Sequence, residues 1–229
     1  LADGALADVD GDGDLDGLVA FTLLQNDGSG NFSSSGPVPG LANFLVGQVV
    51  DLDGDQDVDV VAASASFGKR LAWNSGGTLA VRADTVPARG ADGRSIADMD
   101  GDGGRGLVDL GLTSSTTWLY RNDGWGGFSL GGTPVLSPLT ATLSYALGDL
   151  DGDTLPDAVY GGFGPGFVYV TQVLGNDGTG QLVQVAAGYS GLAGPTSDIL
   201  LADLDADADL DAFLTSGLST SSRVARNDG

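Results

Sequence analysis

The sequence predicts an all-β chain made by repeating one unit, and three observations predict it. An acidic loop spaced by glycines, Asp8-Val9-Asp10-Gly11-Asp12-Gly13-Asp14-Leu15-Asp16, recurs with starts at Asp51, Asp98, Asp149 and Asp203, which are 43, 47, 51 and 54 residues apart. Short apolar runs bounded by turn formers flank every copy, and no helical periodicity of any length is present. A third run then ends in Asn-Asp-Gly or a close variant, a sequence that tolerates positive φ and closes a hairpin.

Within each unit the first run is Ala5–Ala7, Phe44–Val46, Ser95–Ala97, Tyr145–Leu147 or Ile199–Leu201. The acidic loop follows. The second run, 17–21, 58–62, 107–110, 158–160 or 210–214, is rich in Val, Leu and Ala and reads as a strand buried on both faces. The third run ends at the turns opened by Asn26, Asn74, Asn122, Asn176 and Asn227. A fourth, polar run opens near Phe32, Leu79, Phe128 and Leu182, with the composition of an exposed edge strand. Four short antiparallel strands per unit of about 45 residues predict a β-propeller. The expected domain is 1–229, with repeats at 1–41, 42–89, 90–139, 140–193 and 194–229. The fifth repeat stops at its turn and lacks an outer strand. That leaves an edge expected to favour strand exchange or edge pairing with another chain. Five repeats also fit a segment of a larger ring. The chain opens at Leu1 without Met or leader, which reads as a mature or trimmed piece.

Net charge is −22, and every acidic residue is aspartate. Twenty-three of the 31 lie in the five loops, counting Asp109 with the third, so the acidity is local rather than a solubilising coat. Two carboxylates about 5 Å apart repel by on the order of 3 kcal/mol at an effective dielectric of about 20. Regular spacing therefore argues for a cation. Oxygen ligands at loop positions 1, 3 and 5, a carbonyl at 7 and closure at 9 suit Ca²⁺ better than Mg²⁺, which keeps its water. Five bound ions would bring the charge to −12. The nine Lys and Arg are scattered, which argues against nucleic acid as a partner, because phosphate binding needs them clustered. No apolar run reaches the roughly 18 residues of a membrane helix. The absence of His and Cys excludes Ser-His-Asp and Cys-His catalysis.

The string ALGDLDGDTLPDAVYGG at 146–162, with VLGNDGTGQL downstream, resembles the FG-GAP/VCBS repeats of the integrin α-subunit propeller, secreted bacterial proteins and some fungal lectins. The resemblance spans essentially the whole chain. It implies Ca²⁺ in each loop and a propeller used for adhesion or for protein and glycan recognition. By this resemblance the first site would use Asp8, Asp10, Asp12 and Asp16 with the Asp14 carbonyl, and the second Asp51, Asp53, Asp55 and Asp59 with Asp57. The fourth would use Asp149, Asp151, Asp153 and Asp157 with the Leu155 carbonyl, and the fifth Asp203, Asp205, Asp207 and Asp211 with Asp209. The third keeps Asp98, Asp100 and Asp102 but has Gly106 at position 9, so Asp109 would have to bend back, and this site is expected to be the weakest. At position 4 of the fifth loop stands Ala206, which is strained if positive φ is required.

The function expected is a non-enzymatic calcium-binding recognition or adhesion module for a protein or glycan, extracellular because such sites fill at extracellular calcium. The alternatives are a sugar-binding propeller lectin, or a structural or engineered repeat spacer with no ligand of its own. Of the aromatic residues near the turns, Trp73, Trp118 and Tyr120 are expected to pack inside, and Trp125 to be the exposed contact. A carboxylate-pair hydrolase would need Asp84 or Asp92 in a central pocket.

Overall fold

The computed structural model describes residues 4–64, 68–82, 96–110, 116–131, 135–136, 139–185, 192, 194–216 and 221–227. Apart from one short 3₁₀ turn, Pro165–Phe167, all regular structure among them is β. The strands follow the predicted order. The first sheet is β1 (Gly4–Ala7), β2 (Asp16–Val19), β3 (Thr22–Asn26) and β4 (Phe32–Pro37), and the second is β5 (Leu45–Val50), β6 (Asp59–Ser64), β7 (Gly68–Trp73) and β8 (Ala80–Val81). In the third, β9 (Ile96–Ala97), β10 (Gly106–Leu110), β11 (Thr116–Asn122) and β12 (Phe128–Leu130) are joined by β13 (Val135–Leu136), which pairs with β11 and was not foreseen. The fourth is β14 (Ala141–Gly148), β15 (Asp157–Phe163), β16 (Tyr169–Asn176) and β17 (Leu182–Gln184). The fifth has three described strands, β18 (Asp198–Ala202), β19 (Asp211–Thr215) and β20 (Arg223–Ala225). Each is an antiparallel meander in sequence order, a propeller-like arrangement of small sheets.

The expected first strands are too short in two repeats. β5 and β14 run to six and eight residues, each across a bulge, between Val46 and Gln48 and between Thr142 and Ser144. A bulge lets a strand continue past a residue that does not fit the ladder, so a run that breaks its alternation is still a strand. The second strands are largely buried, as expected, with Val19 of β2 and Phe213 of β19 exposed. Every residue of β6 except its last is buried, and so is every residue of β15 except its last.

The chain forms two compact units, Leu1–Ile96 with Asn122–Ser129, and Ala97–Arg121 with Leu130–Gly229. In the first unit, residues of the first sheet (Ala7, Val9, Leu18, Leu23) pack with residues of the second (Val60, Ala62, Ala72). In the second unit Met99 and Leu119 pack with Ala158, Tyr160 and Leu174, while Leu150, Val159 and Val173 pack with Ala212, Leu214 and Ala225. Each of these cores is therefore shared by two consecutive repeats, so a single repeat cannot bury its own apolar side.

The acidic loop takes the same path in every repeat. Position 4 lies in the left-handed region at Gly11, Gly54, Gly101 and Gly152, and Ala206 does so too, at φ 67°. Position 6 is left-handed as well, occupied by Gly13, Gln56, Gly103, Thr154 and Ala208. This second requirement is hidden in the sequence because only two of the five residues are glycine. Ala206→Gly is expected to stabilise the protein by up to about 1 kcal/mol, the left-handed penalty less the added chain entropy of glycine. Denaturant unfolding of the variant checks it.

Candidate metal centres

The path of the loop comes from its own carboxylates. Position 1 accepts the backbone N–H groups of positions 4 and 6: Asp8 from Gly11 (2.8 Å) and Gly13 (3.1 Å), Asp149 from Gly152 (2.8 Å) and Thr154 (2.9 Å), with the same pair at Asp51, Asp98 and Asp203. Position 5 accepts the N–H of position 7 at Asp12, Asp55, Asp102, Asp153 and Asp207. These bonds hold a turn with its carboxylates gathered inside.

Position 9 is buried and does more than close a shell. Asp16 accepts the N–H of Val9 on one oxygen (3.1 Å) and that of Asn26 on the other (2.9 Å). Asp59 does the same with Leu52 and Asn74, Asp157 with Leu150 and Asn176, and Asp211 with Leu204 and Asn227. This aspartate therefore ties the start of the loop to the end of the third strand. Gly106 replaces it in the third loop, where a Cβ would lie 2.8 Å from the Tyr120 carbonyl. The side chain of Asp109 lies outside the described residues.

Oxygens of positions 1, 3 and 9 lie within 4.8 Å of one another in four loops: Asp8, Asp10 and Asp16; Asp51, Asp53 and Asp59; Asp149, Asp151 and Asp157; Asp203, Asp205 and Asp211. In the third loop the group is Asp98, Asp100 and Asp102. At position 5, one oxygen of Asp12, Asp55, Asp153 and Asp207 accepts a backbone N–H, and the side chains of Asp55 and Asp207 also reach those of Asp53 and Asp205. Asp57 accepts the N–H of Gly76 (2.7 Å). At position 7, Asp14, Leu155 and Asp209 donate their N–H groups to position 5.

The carboxylates of the groups are incompletely paired. One buried oxygen of Asp14 and one of Asp53 have no hydrogen-bond partner. Burial, then neighbouring carboxylates, raise the pKa values of Asp14, Asp53, Asp100 and Asp205 above the ordinary carboxylate value. Burial also pushes Asp157 up and Asp59 up to about 6, against the pull of their backbone donors. An acid whose folded-state pKa is raised holds its proton better folded than unfolded, so stability is gained as pH falls. For chelator-treated protein, Asp59 alone is expected to contribute up to about 3 kcal/mol more stability near pH 4 than near pH 7, the loss accruing between about pH 4 and pH 6. Melting curves across that range check it.

Two loops have a cation of their own. Arg121 pairs with Asp100 at 3.0 Å and Arg226 pairs with Asp205. Both arginines stand just before the turn Asn, at the position of Gln25, whose amide donates to Asp10 (3.1 Å). Trp73 and Gly175 occupy this position in the second and fourth repeats. Loop four is thus the least obstructed candidate, since Arg82, stacked on Trp73, acts on Asp53 of loop two, and the arginine adds to the handicap expected for loop three. Arg226→Gln is expected to raise the affinity of the fifth loop for Ca²⁺ by up to about fivefold, the range for losing a partly exposed ion pair. Calcium titration of the single variant checks it.

The Asn turns are held by their side chains. Asn122 accepts from the N–H groups of Gly124 and Gly126, and Asp123 from those of Trp125 and Gly127. The amides of Asn74, Asn122, Asn176 and Asn227 each donate to the position 2 carbonyl of the preceding repeat's loop, at Val9, Leu52, Met99 and Leu150, over 2.6–2.7 Å. The sequence gives no sign of these bonds, which span 65 to 77 residues. Trp73 and Tyr120 are buried, as expected, and Trp125 is 83% exposed. The side chain of Trp118, and the whole of Asp84 and Asp92, lie outside the described residues.

No protein-family model matches the chain, and no curated protein matches it. The likeness to FG-GAP and VCBS repeats therefore rests on the loop and turn sequences. Solved structures do match. A mutant of AofleA from Arthrobotrys oligospora, with three arginines replaced by alanine, is similar over 100% of this chain and 73% of its own, at 14% identity and a TM-score of 0.50. At that identity the similarity speaks to the fold alone.

Proposed function

We propose that the chain is a non-enzymatic recognition module, a propeller of five blades that binds sugar through its turns and is held in shape by Ca²⁺ in its loops. The observation that carries the sugar reading is Trp125, an exposed ring on a turn fixed by four hydrogen bonds to Asn122 and Asp123. A large aromatic face beside polar groups suits the apolar side of a pyranose, and holding it in place costs little entropy on binding. The likeness of fold to AofleA and the resemblance to repeats that include fungal lectins support this reading over a general adhesion role. The residues fit the metal. They offer only oxygen, in groups of three carboxylates, with oxygens of Asp14 and Asp53 left without partners. When bound, the ion would supply the positive charge these carboxylates attract; Asp149, Asp151 and Asp157 would hold it best. Such a role places the protein outside the cell, where calcium is plentiful.

A glycan array probed with wild type and Trp125→Ala, each in calcium, tests the sugar reading. The expected result is binding by wild type to a defined set of glycans, weakened about tenfold in the variant, which is ~1.4 kcal/mol. If wild type with normal melting binds no glycan, the spacer reading stands instead.

A further inference from the structure

The third turn departs from its relatives at two positions, and both departures open it. The first, third and fourth turns share the pattern Asn-Asp-Gly-x-Gly-x. Ser29 and Thr179 stand where Trp125 does, and Asn31 and Gln181 stand where Gly127 does. In the first turn the Asn31 amide donates to Asp27 Oδ2 (2.9 Å), and in the fourth the Thr179 hydroxyl donates to Asp177 Oδ1 (2.6 Å). Each of those aspartates thus has a side-chain partner within its own turn.

Asp123 is placed differently. Its Oδ1 accepts the N–H groups of Trp125 (2.9 Å) and Gly127 (2.8 Å), and among the described residues no donor takes its Oδ2. A Cβ at residue 127 would stand 2.3 Å from that oxygen, so glycine is what leaves room for it. The two backbone N–H groups hold the Asp123 carboxyl below the ordinary carboxylate value, which keeps it ionised. The turn therefore presents an exposed indole and, two residues before it, an exposed carboxylate with one oxygen open. Its surroundings are acidic as well. The Asn122 amide donates to the Leu52 carbonyl (2.6 Å), and a Cβ at Gly54 would stand 3.5 Å from the Gly124 carbonyl, so the turn rests on loop two with its five aspartates. Arg82, stacked on Trp73, and one Ca²⁺ together leave that loop negative.

An indole face attracts a cation, and a carboxylate beside it accepts the cation's N–H groups in charge-assisted bonds. A neutral sugar gains only the ring contact and hydroxyl bonds, and an acidic sugar is repelled. We propose that the sugar taken at Trp125 carries a free amino group: a pyranose of the glucosamine class lies on the indole while its ammonium donates to Asp123. The proposal rests on the sugar reading of Trp125 and narrows it to a basic ligand.

Calorimetric titration with the glucosamine trimer, the N-acetylglucosamine trimer and trilysine tests it, in physiological salt and saturating calcium, at about pH 6, where amines are protonated. The two trimers share rings and linkages and differ in charge; trilysine has the charge without the pyranose. The expected result is tighter binding of the glucosamine trimer than of the N-acetylated one, by at least about fivefold. Asp123→Asn, whose amide oxygen still accepts both backbone N–H groups, is expected to abolish that preference, and Trp125→Ala to weaken both trimers. Asp177→Asn, the same change of charge on the fourth turn, is expected to leave the preference intact. Melting curves establish that each variant is folded. Glucosamine-trimer binding that survives Trp125→Ala, or a preference that survives Asp123→Asn, overturns the proposal, since the attraction then belongs to the acidic surface at large. Trilysine that binds as tightly, with the same dependence on Trp125, overturns it in favour of a basic peptide. Equal binding of the two trimers, lost in Trp125→Ala, overturns it and leaves the sugar reading standing. Failure of both trimers to bind overturns it too, and the sugar reading falls with it only if the glycan array is also blank.

Discussion

Chelation of calcium is expected to lower the melting temperature by on the order of 20 °C. The argument starts from charge. Three carboxylates per loop have oxygens within 4.8 Å of one another, and several have their pKa values pushed up by burial and by each other. An ion that binds only the folded chain stabilises it by about 2.7 kcal/mol per site at a hundred times its Kd. The loops without an arginine ion-paired at position 3 are the first, second and fourth, and they together would contribute about 8 kcal/mol. For a chain of this length each kcal/mol moves the melting point by roughly 2–4 °C. Calorimetry in EDTA and in excess calcium, followed by metal counting on the dialysed protein, gives the answer. An unchanged melting temperature would remove the metal reading. Magnesium at the same concentration is expected to restore less.

Removing a position 9 aspartate is expected to cost about 3–5 kcal/mol whether or not calcium is present. Asp157→Ala leaves two N–H groups, those of Leu150 and Asn176, without their acceptor in a buried setting. Each orphaned donor costs about 1–3 kcal/mol, and the cavity adds to it. Asp149→Asn, at position 1, is the informative contrast. Its amide oxygen can still accept one backbone N–H while the charge that would hold an ion is lost. Urea unfolding in EDTA is expected to show Asp157→Ala well below wild type and Asp149→Asn close to it. In calcium both should fall short. Equal loss from the two variants in EDTA would mean that position 9 is no more structural than position 1.

These two positions also mark what the sequence makes legible. The period, the strand order and the place of each loop and turn follow from local patterns: alternating aspartates, short Val-rich runs and Asn-Asp-Gly. The gathering of positions 1 and 3 follows as well. The double use of Asp16, Asp59, Asp157 and Asp211 does not, because a buried acceptor for two distant N–H groups has the same letters as a metal ligand. The asparagine amides point across repeats, and no local pattern reports a partner about seventy residues away. The pairing of β13 with β11 is hidden because a strand of two residues leaves no pattern to read. One signal was present and unread: Arg121 and Arg226 stand in the same place relative to their turns, and a basic residue recurring beside an acidic loop announces an ion pair.

The inter-repeat asparagine amide bond runs to the loop of the preceding repeat. A copied unit, inserted at any internal boundary, would bring both the amide its predecessor needs and the carbonyl its successor needs. Lengthening by tandem duplication therefore breaks no bond and requires no compensating change, and the spread of 43 to 54 residues between loop starts is the slack that such copying leaves free to drift.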